Sequence, residues 1–344
     1  MTYRVVGANF DQMHIGTNLQ WAVDHPDVEV VGVCDEEPAT STASMPEIAD
    51  QLDIPEEHRY ADLERCLEET APDIVIGCPR NALHATFVER VAPYDVHVVV
   101  EKPLAMSVDD ADRMLDAMAD TENILAVNWP VTWYPEMQEV KRLVDAGTIG
   151  DVIEVQYYAG NAGAPPDDSW FYDADAGGGS LLDYLGYGAT FSTWFRGGDL
   201  PESVTTETHV PDDEEVDFQS STVARYADGL STLQTSWRMF THPWEIQPQP
   251  AKGYELVGTE GTISTRERGA PVRVQTTDRP EGYVVEPTPL DPPHQNLVQY
   301  LVHCIEEGVD PEGPTDPGFC RSAQRILDTA RRSAAVGGPV DLID

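Results

Sequence analysis

Apolar runs alternate with amphipathic stretches through the first third of the chain. "YRVVG" (3–7), "VEVVGVCD" (28–35), "DIVIGC" (73–78), "VHVVVEKP" (96–103) and "ILAVNW" (124–129) are bounded by turn signals and read as buried strands. Helical patterns lie between them: His14–Val23, "ADLERCLEET" and "SVDDADRMLDAMAD", the last with Ser107 placed to cap it. Alternating strands and helices with short links predict a parallel sheet with helices on both faces. That is a doubly wound α/β domain.

After about residue 150 the pattern changes. "DVIEVQYYAG" (151–160) is a strand, and "GGGSLLDYLGYGATFSTWF" reads as a buried helix. "STVARYADGLSTLQTSW" is a hairpin turning at Ala-Asp-Gly, and "YELVGTEGTISTR" and "VRVQTT" are further strands. Helices around 294–307 and 317–335 close the chain. The expectation is an α+β domain on a mainly antiparallel sheet. The chain's 344 residues are too many for one compact core, so two domains are expected, at 1–127 and 128–344.

Charge changes the picture more than composition does. Asp and Glu number 61 against 21 Lys and Arg, a net charge of −40 spread along the whole chain. Such a surface repels nucleic acid and anionic membranes, and it suits a salt-rich cytoplasm in which screening removes the self-repulsion. No apolar stretch reaches transmembrane length, so the expectation is a cytoplasmic protein of an extreme halophile. Five scattered cysteines (34, 66, 78, 304, 320) suggest neither disulfides nor a metal site. Only three lysines survive the acidic bias: Lys102, Lys141 and Lys252.

The first strand–turn–helix can set a pyrophosphate on a helix N-terminus. Gly7 is placed to make the tight turn, and Asn9, tolerant of positive φ, to hold the second glycine position. Phe10 lies between them and the helix, and His14 is placed to donate to phosphate. Gln12 stands where a third glycine would allow close helix packing, and Asp11 adds a charge that must point away. Asp35 closes the second strand, where a carboxylate binds ribose hydroxyls and repels a 2′-phosphate. Along the chain the next arginine is Arg59, which favours NAD while leaving NADP possible. "CPRNALH" supplies Pro79, Asn81 and His84 for the nicotinamide side, with Cys78 also at the cofactor; Asn128, at the end of a later strand, is placed to reach the cofactor. In "VVVEKPLAM", Glu101 and Lys102 end a strand where such sheets take ligands, and Pro103 restricts Lys102 to an extended backbone. Asp183 and Tyr187 stand four apart, on one face of a helix.

Together these pieces resemble the Gfo/Idh/MocA family, the relatives of glucose–fructose oxidoreductase and inositol dehydrogenase. "EKPLA", "VDAGTIGDVIEV", "GGGSLLDYLGYG", "ADGLSTL", "YELVGTEGTIST" and "RSAAVGGPVDL" carry the resemblance over nearly the whole chain. It implies a dinucleotide-binding Rossmann domain at 1–127, then at 128–344 a substrate-binding and oligomerisation domain whose large open sheet pairs subunits in many relatives, hence a homo-oligomer, dimer or tetramer. It implies hydride transfer between NAD(P) and a sugar, polyol or related cyclic alcohol. By position Lys102 matches the family's catalytic lysine and Asp183 its helix acid. Tyr187 falls where many members carry His; a Tyr there occurs in the glucose–fructose oxidoreductase and dihydrodiol dehydrogenase branches, so the swap does not imply inactivity. The chain departs from the family pattern in its eroded glycine fingerprint, a "CPRNALH" turn one residue longer, and Leu185 in place of a common Gly.

Oxidising an alcohol carbon needs a proton acceptor within reach of its oxygen. A neighbouring ammonium favours the phenolate, so Tyr187 with Lys102 assists proton transfer while Asp183 orients the substrate; whether lysine or tyrosine carries the proton is left open. Substrate contacts are expected from Tyr158, Asn161, Trp170 and Arg238. The competing readings are a nicotinamide-assisted glycosidase of the same fold and a non-catalytic NAD-sensing regulator.

Overall fold

The computed structural model describes residues 1–160, 165–166, 168–237, 252–265 and 269–344. The chain divides into two compact units. One comprises Met1–Trp129, Asp175–Gly177 and Asp291–Cys320; the other comprises Pro130–Ala174, Gly178–Leu290 and Arg321–Asp344.

The first unit carries a six-stranded parallel sheet: β1 (Tyr3–Phe10), β2 (Val28–Cys34), β3 (Arg59–Tyr60), β4 (Ile74–Cys78), β5 (His97–Glu101) and β6 (Leu125–Asn128). Their order, β3-β2-β1-β4-β5-β6, reverses between β1 and β4, the doubly wound arrangement expected from the sequence. β4 is buried along its whole length, as a central strand covered on both faces must be. The helices are α1 (His14–Asp24), α2 (Met45–Gln51), α3 (Leu63–Thr70), α4 (His84–Val91) and α5 (Val108–Met118). Asp62 caps α3 by accepting from the Arg65 N–H at 2.8 Å, and Ser107 caps α5 by accepting from the Asp110 N–H at 3.1 Å. β3 is too short for its periodicity to show in the sequence.

The second unit holds α6 (Pro135–Asp145), α7 (Gly186–Phe195) and a nine-stranded sheet. Its strands are β7 (Val152–Gly160), β8 (Ser203–His209), β9 (Gln219–Arg225), β10 (Leu230–Ser236), β11 (Gly253–Gly258), β12 (Gly261–Ser264), β13 (Val272–Thr276), β14 (Arg279–Val285) and β15 (Val340–Asp341). Every pairing is antiparallel except β7 with β10, which is parallel. β9 alternates strictly between exposed and buried positions, and the β9–β10 hairpin turns at Ala-Asp-Gly. Of the closing helices, α8 (Leu297–Glu307) belongs to the first unit, and α9 (Pro317–Val336) begins in the first and continues in the second.

α4 packs on β4 so closely that a Cβ at Gly77 would lie 2.2 Å from the Phe87 ring. An aromatic ring locked in the core cannot move aside at low cost. Gly77→Ala should therefore lower stability by about 1–3 kcal/mol in denaturant unfolding. Adding Phe87→Leu should recover part of that loss, and strict additivity of the two changes would contradict the contact.

Candidate active site

In the first unit, β1 runs straight through the region where a turn is expected. Gly7 stays within the strand and its φ is not positive; a Cβ there would meet the Leu19 side chain of α1 at 2.8 Å. Close packing of helix on strand, the task assigned to a third glycine, thus falls to Gly7. Asn9 takes φ 57°, and the β1–β4 register shifts between Ala8 and Phe10, so Asn9 forms a bulge. Phe10 is fully buried. The Gln12 N–H donates to the Cys78 carbonyl at 3.2 Å, tying the turn to the end of β4.

Asp11 is buried, and its carboxylate accepts the Arg80 backbone N–H at 2.9 Å and the Thr40 hydroxyl at 3.2 Å. Burial raises its pKa, against the pull of Arg80 and Thr40. The Arg80 guanidinium continues to the Thr40 hydroxyl at 3.1 Å and to Glu37 at 2.8 Å. An arginine therefore does lie beside the acids that follow β2, although it is 43 residues from Glu37 along the chain. Asp35 is also buried. The Ser41 hydroxyl donates to both its oxygens, at 2.9 and 3.2 Å, and burial raises its pKa while Ser41 and the Glu37 and Phe10 amides oppose the rise.

At the ends of β5 and β6 a polar cluster closes around Glu101, which is fully buried. One carboxylate oxygen accepts from Asn18 at 2.9 Å and Asn128 at 2.6 Å; the other faces His14 Nδ1 at 3.0 Å. Burial pushes the carboxyl up, but His14 and the two amides outweigh it and hold it below its ordinary value. The side chains of His14 and Asn128, expected at the cofactor, are thus engaged with Glu101. Lys102 follows at 4% exposure, joined to Pro103 by a cis peptide bond. Buried His84 sets its ring nitrogens 3.1 Å from the Pro79 and Leu104 carbonyls, linking the loops after β4 and β5. Asn81 donates to the Gly177 carbonyl at 2.8 Å, while its buried Oδ1 has no hydrogen-bond partner among the described residues. Cys78 is buried, and burial raises its pKa.

In the second unit, Leu181–Leu185 form a π-turn that widens into α7, so the continuous α-helix expected across Asp183 and Tyr187 is interrupted. The sheet supplies a reason. Tyr157 and Tyr254 are register partners on β7 and β11, and their hydroxyls donate to the Tyr184 and Tyr187 carbonyls at 3.1 and 3.0 Å. Asp183 accepts from the Trp237 indole at 3.0 Å. Tyr187 is 9% exposed, its ring 6.4 Å from that of Tyr184. Asp217 accepts the Ser180 hydroxyl at 2.7 Å and the Leu181 N–H at 2.9 Å, holding the start of the turn. A Cβ at Gly179, where φ is +102°, would sit 2.7 Å from the Asp217 carboxylate.

Of the expected substrate contacts, Trp170 is buried and stacks on Phe171 at 4.1 Å. Tyr158 points to the sheet face opposite Tyr157, away from the π-turn, because side chains alternate along β7. Asn161 and Arg238 lie outside the described residues. Among the described residues no cluster of His, Cys, Asp and Glu could hold a metal ion, and no helix is long and apolar enough to cross a membrane. Sequence reasoning missed Asn18, Arg80, Asp217, Trp237 and Lys252, whose ammonium lies 5.3 Å from the Tyr184 ring centre. Asn18 carried a signal, four residues after His14 on α1; Asp217 was hidden in a run of acids.

Burial pushes Asp217 up to about 6, with Asp183 adding to the rise. A carboxyl raised above its unfolded value stabilises the fold below about pH 4, and that contribution is lost as pH rises through about 6. Between pH 5 and 7, the stability of the protein relative to Asp217→Asn should fall by about 1 kcal/mol in denaturant unfolding. A difference independent of pH would contradict this.

The model for the oxidoreductase family with an NAD-binding Rossmann fold, GFO_IDH_MocA, matches residues 1–129, and that for the GFO/IDH/MocA C-terminal domain matches residues 137–264. The chain is 26% identical to D-xylose 1-dehydrogenase (NADP(+)) 2 of Haloferax volcanii over 331 residues, 93% of this chain and 94% of that one. It is 25% identical to inositol 2-dehydrogenase of Rhizobium meliloti, over 78% of this chain and 80% of that one. Among solved structures, aldose-aldose oxidoreductase from Caulobacter crescentus shares the fold with a TM-score of 0.83 at 20% identity, covering 99% of this chain and 100% of that one. Levoglucosan dehydrogenase in complex with NADH and levoglucosan does so with a TM-score of 0.81 at 18% identity, over the full length of both. With both of its domains matched and the sheet order reversing between β1 and β4, the chain belongs to the Gfo/Idh/MocA family of oxidoreductases.

Proposed function

We propose that this protein is a nicotinamide-dependent dehydrogenase acting on a CH–OH group of a sugar, polyol or related cyclic alcohol. The observation that carries the reading is the buried Glu101 cluster, which fixes the end of β5 and with it the base of Lys102. A Rossmann-type dinucleotide fits the residues present. The buried Asn81 Oδ1 lacks a donor that a ribose hydroxyl or carboxamide would supply. α1 begins with no side-chain cap and no acid in its first turn, as an N-terminus that receives phosphate should. Xylose and inositol dehydrogenases among the relatives support the substrate class.

When bound, the nicotinamide supplies the hydride acceptor. Lys102 then polarises the substrate hydroxyl, Tyr187 assists in moving its proton, and Asp183 orients the sugar. The Trp237 indole fixes Asp183, and the sheet tyrosines fix the backbone around Tyr187, so both arrive preorganised. Residues 1–127 hold the dinucleotide, and 128–344 bind substrate and pair subunits. Support for pairing through the sheet comes from β9, whose Gln219, Ser221, Val223 and Arg225 form an exposed row. The net charge of −40 supports a salt-rich cytoplasm as the setting.

Mixing the protein with NAD or NADP and a panel of pentoses, hexoses and inositols in molar salt should reduce the coenzyme with at least one of them. Lys102→Met should lower kcat about a hundredfold or more, and Tyr187→Phe should lower it and alter the pH profile. Unchanged turnover and pH profile in Tyr187→Phe would remove the tyrosine from proton transfer. Substrate consumption without net coenzyme reduction would replace the dehydrogenase with redox-neutral chemistry.

A further inference from the structure

In the first unit the strand order reverses between β1 and β4, and open α/β sheets take dinucleotides at the carboxyl ends flanking such a reversal. Asp11 follows β1, Arg80 follows β4, and Thr40 and Glu37 lie in the loop after β2. The Arg80 side chain therefore runs along three adjacent strand ends, β4, β1 and β2. It passes Asp11 at 3.8 Å and reaches Thr40 and Glu37 at 3.1 and 2.8 Å. It is half-buried at 18% exposure, whereas Glu37 is 54% exposed.

The turn of β1 itself offers less to a phosphate than a glycine-rich turn would. The Gln12 N–H is committed to the Cys78 carbonyl, and Asn9 and Gln12 carry side chains where glycines would bare the backbone. The carboxylate that this sequence adds at the turn, Asp11, is engaged by the Arg80 backbone N–H and by Thr40. Asp11 thereby fixes the Arg80 backbone and leaves the guanidinium as the planar, charged donor along the three strand ends.

We propose that Arg80 is a phosphate ligand of the dinucleotide, exchanging Glu37 for phosphate oxygens when the coenzyme binds. Glu37 holds the guanidinium in place until then: its partner is an exposed carboxylate in mobile competition with solvent, a contact of small net worth. A guanidinium–phosphate pair is charge-assisted on both sides and can be bidentate, so the exchange favours binding. This inference rests on the nicotinamide reading above.

The test is direct titration of NADH and NADPH, followed by coenzyme fluorescence in molar salt, against the protein, Arg80→Gln and Glu37→Gln. Both substitutions leave the Arg80 N–H to Asp11 in place. Arg80→Gln should weaken binding about tenfold to a hundredfold, and Glu37→Gln should tighten it about two- to fivefold. Equal loss for both coenzymes in Arg80→Gln assigns the pyrophosphate to Arg80; loss for NADPH alone assigns the 2′-phosphate. Unchanged affinity in a folded Arg80→Gln overturns the proposal, as does weaker binding in Glu37→Gln, the result of a purely structural bridge. If Arg80→Gln does not fold, the sign of the Glu37→Gln change decides. Failure of the unaltered protein to bind either coenzyme would instead remove the nicotinamide reading, and this inference with it.

Discussion

The Glu101 carboxylate, fully removed from water yet held below its ordinary pKa, is the constraint around which the first unit is arranged. An ionised carboxylate stripped of water is costly unless every lone pair is answered. The answers come from α1, through His14 and Asn18, and from β6, through Asn128. Asn128 also donates to Asn18 at 3.0 Å, so the partners are locked to one another as well as to the acid. The first helix, the fifth strand and the sixth are thereby fixed where the lysine next along the chain must be placed. A hydrophobic contact of the same area would hold these elements together without defining the rotation of β5 about its axis. Directional hydrogen bonds define it.

The second unit solves the matching problem by a different device. A regular α-helix through Asp183 would satisfy its own carbonyls and ignore the sheet. Here two tyrosine hydroxyls rise from neighbouring strands to the Tyr184 and Tyr187 carbonyls, and the turn before α7 is wide. Each such bond is worth about 1 kcal/mol net, but a buried hydroxyl left unpaired would cost more, so the pairing is enforced. Asp217 anchors the entrance to the same turn from the strand side, and the Trp237 indole fixes Asp183. The acid and the tyrosine assigned to the substrate both hang from a segment whose backbone is tied down by side chains distant in sequence.

That distance explains what the sequence disclosed and what it withheld. The parallel strands, the capped helices and the β9–β10 hairpin are governed by local periodicity and turn chemistry, and they stand where the pattern puts them. "EKP" singles out Lys102 as a candidate because a proline and a rare lysine at a strand end are local facts. The π-turn was not legible, because its cause lies at Tyr157 and Tyr254, on strands that only the folded sheet brings alongside. The place of Arg80 is illegible for the same reason: it is far from Glu37 along the chain and meets it only across strand ends. Gly7 shows a subtler limit. A glycine in a fingerprint position invites a turn role, yet the Leu19 side chain above it shows that absence of a Cβ, not freedom of φ, is what the position requires.

The distribution of basic residues follows from the same physics. In a chain with 61 acids and 21 bases, a cation that serves more than one carboxylate relieves the most repulsion. A guanidinium can do so in fixed geometry, and an ammonium does so poorly. Arg90 holds Glu36 and Glu64 together, and Arg113 holds Glu89 and Asp110. Arg80 likewise lies between Asp11 and Glu37. Arginine therefore does the structural neutralising, which leaves lysine for places where a compact, mobile charge matters. Lys141 pairs along its own helix with Asp145, and Lys252 lies over the Tyr184 ring beside the π-turn. Lys102 is the most deeply buried of the three, next to the best-satisfied carboxylate in the first unit. In a chain with only three lysines, the one buried at the end of β5 supports the chemical task proposed for this position.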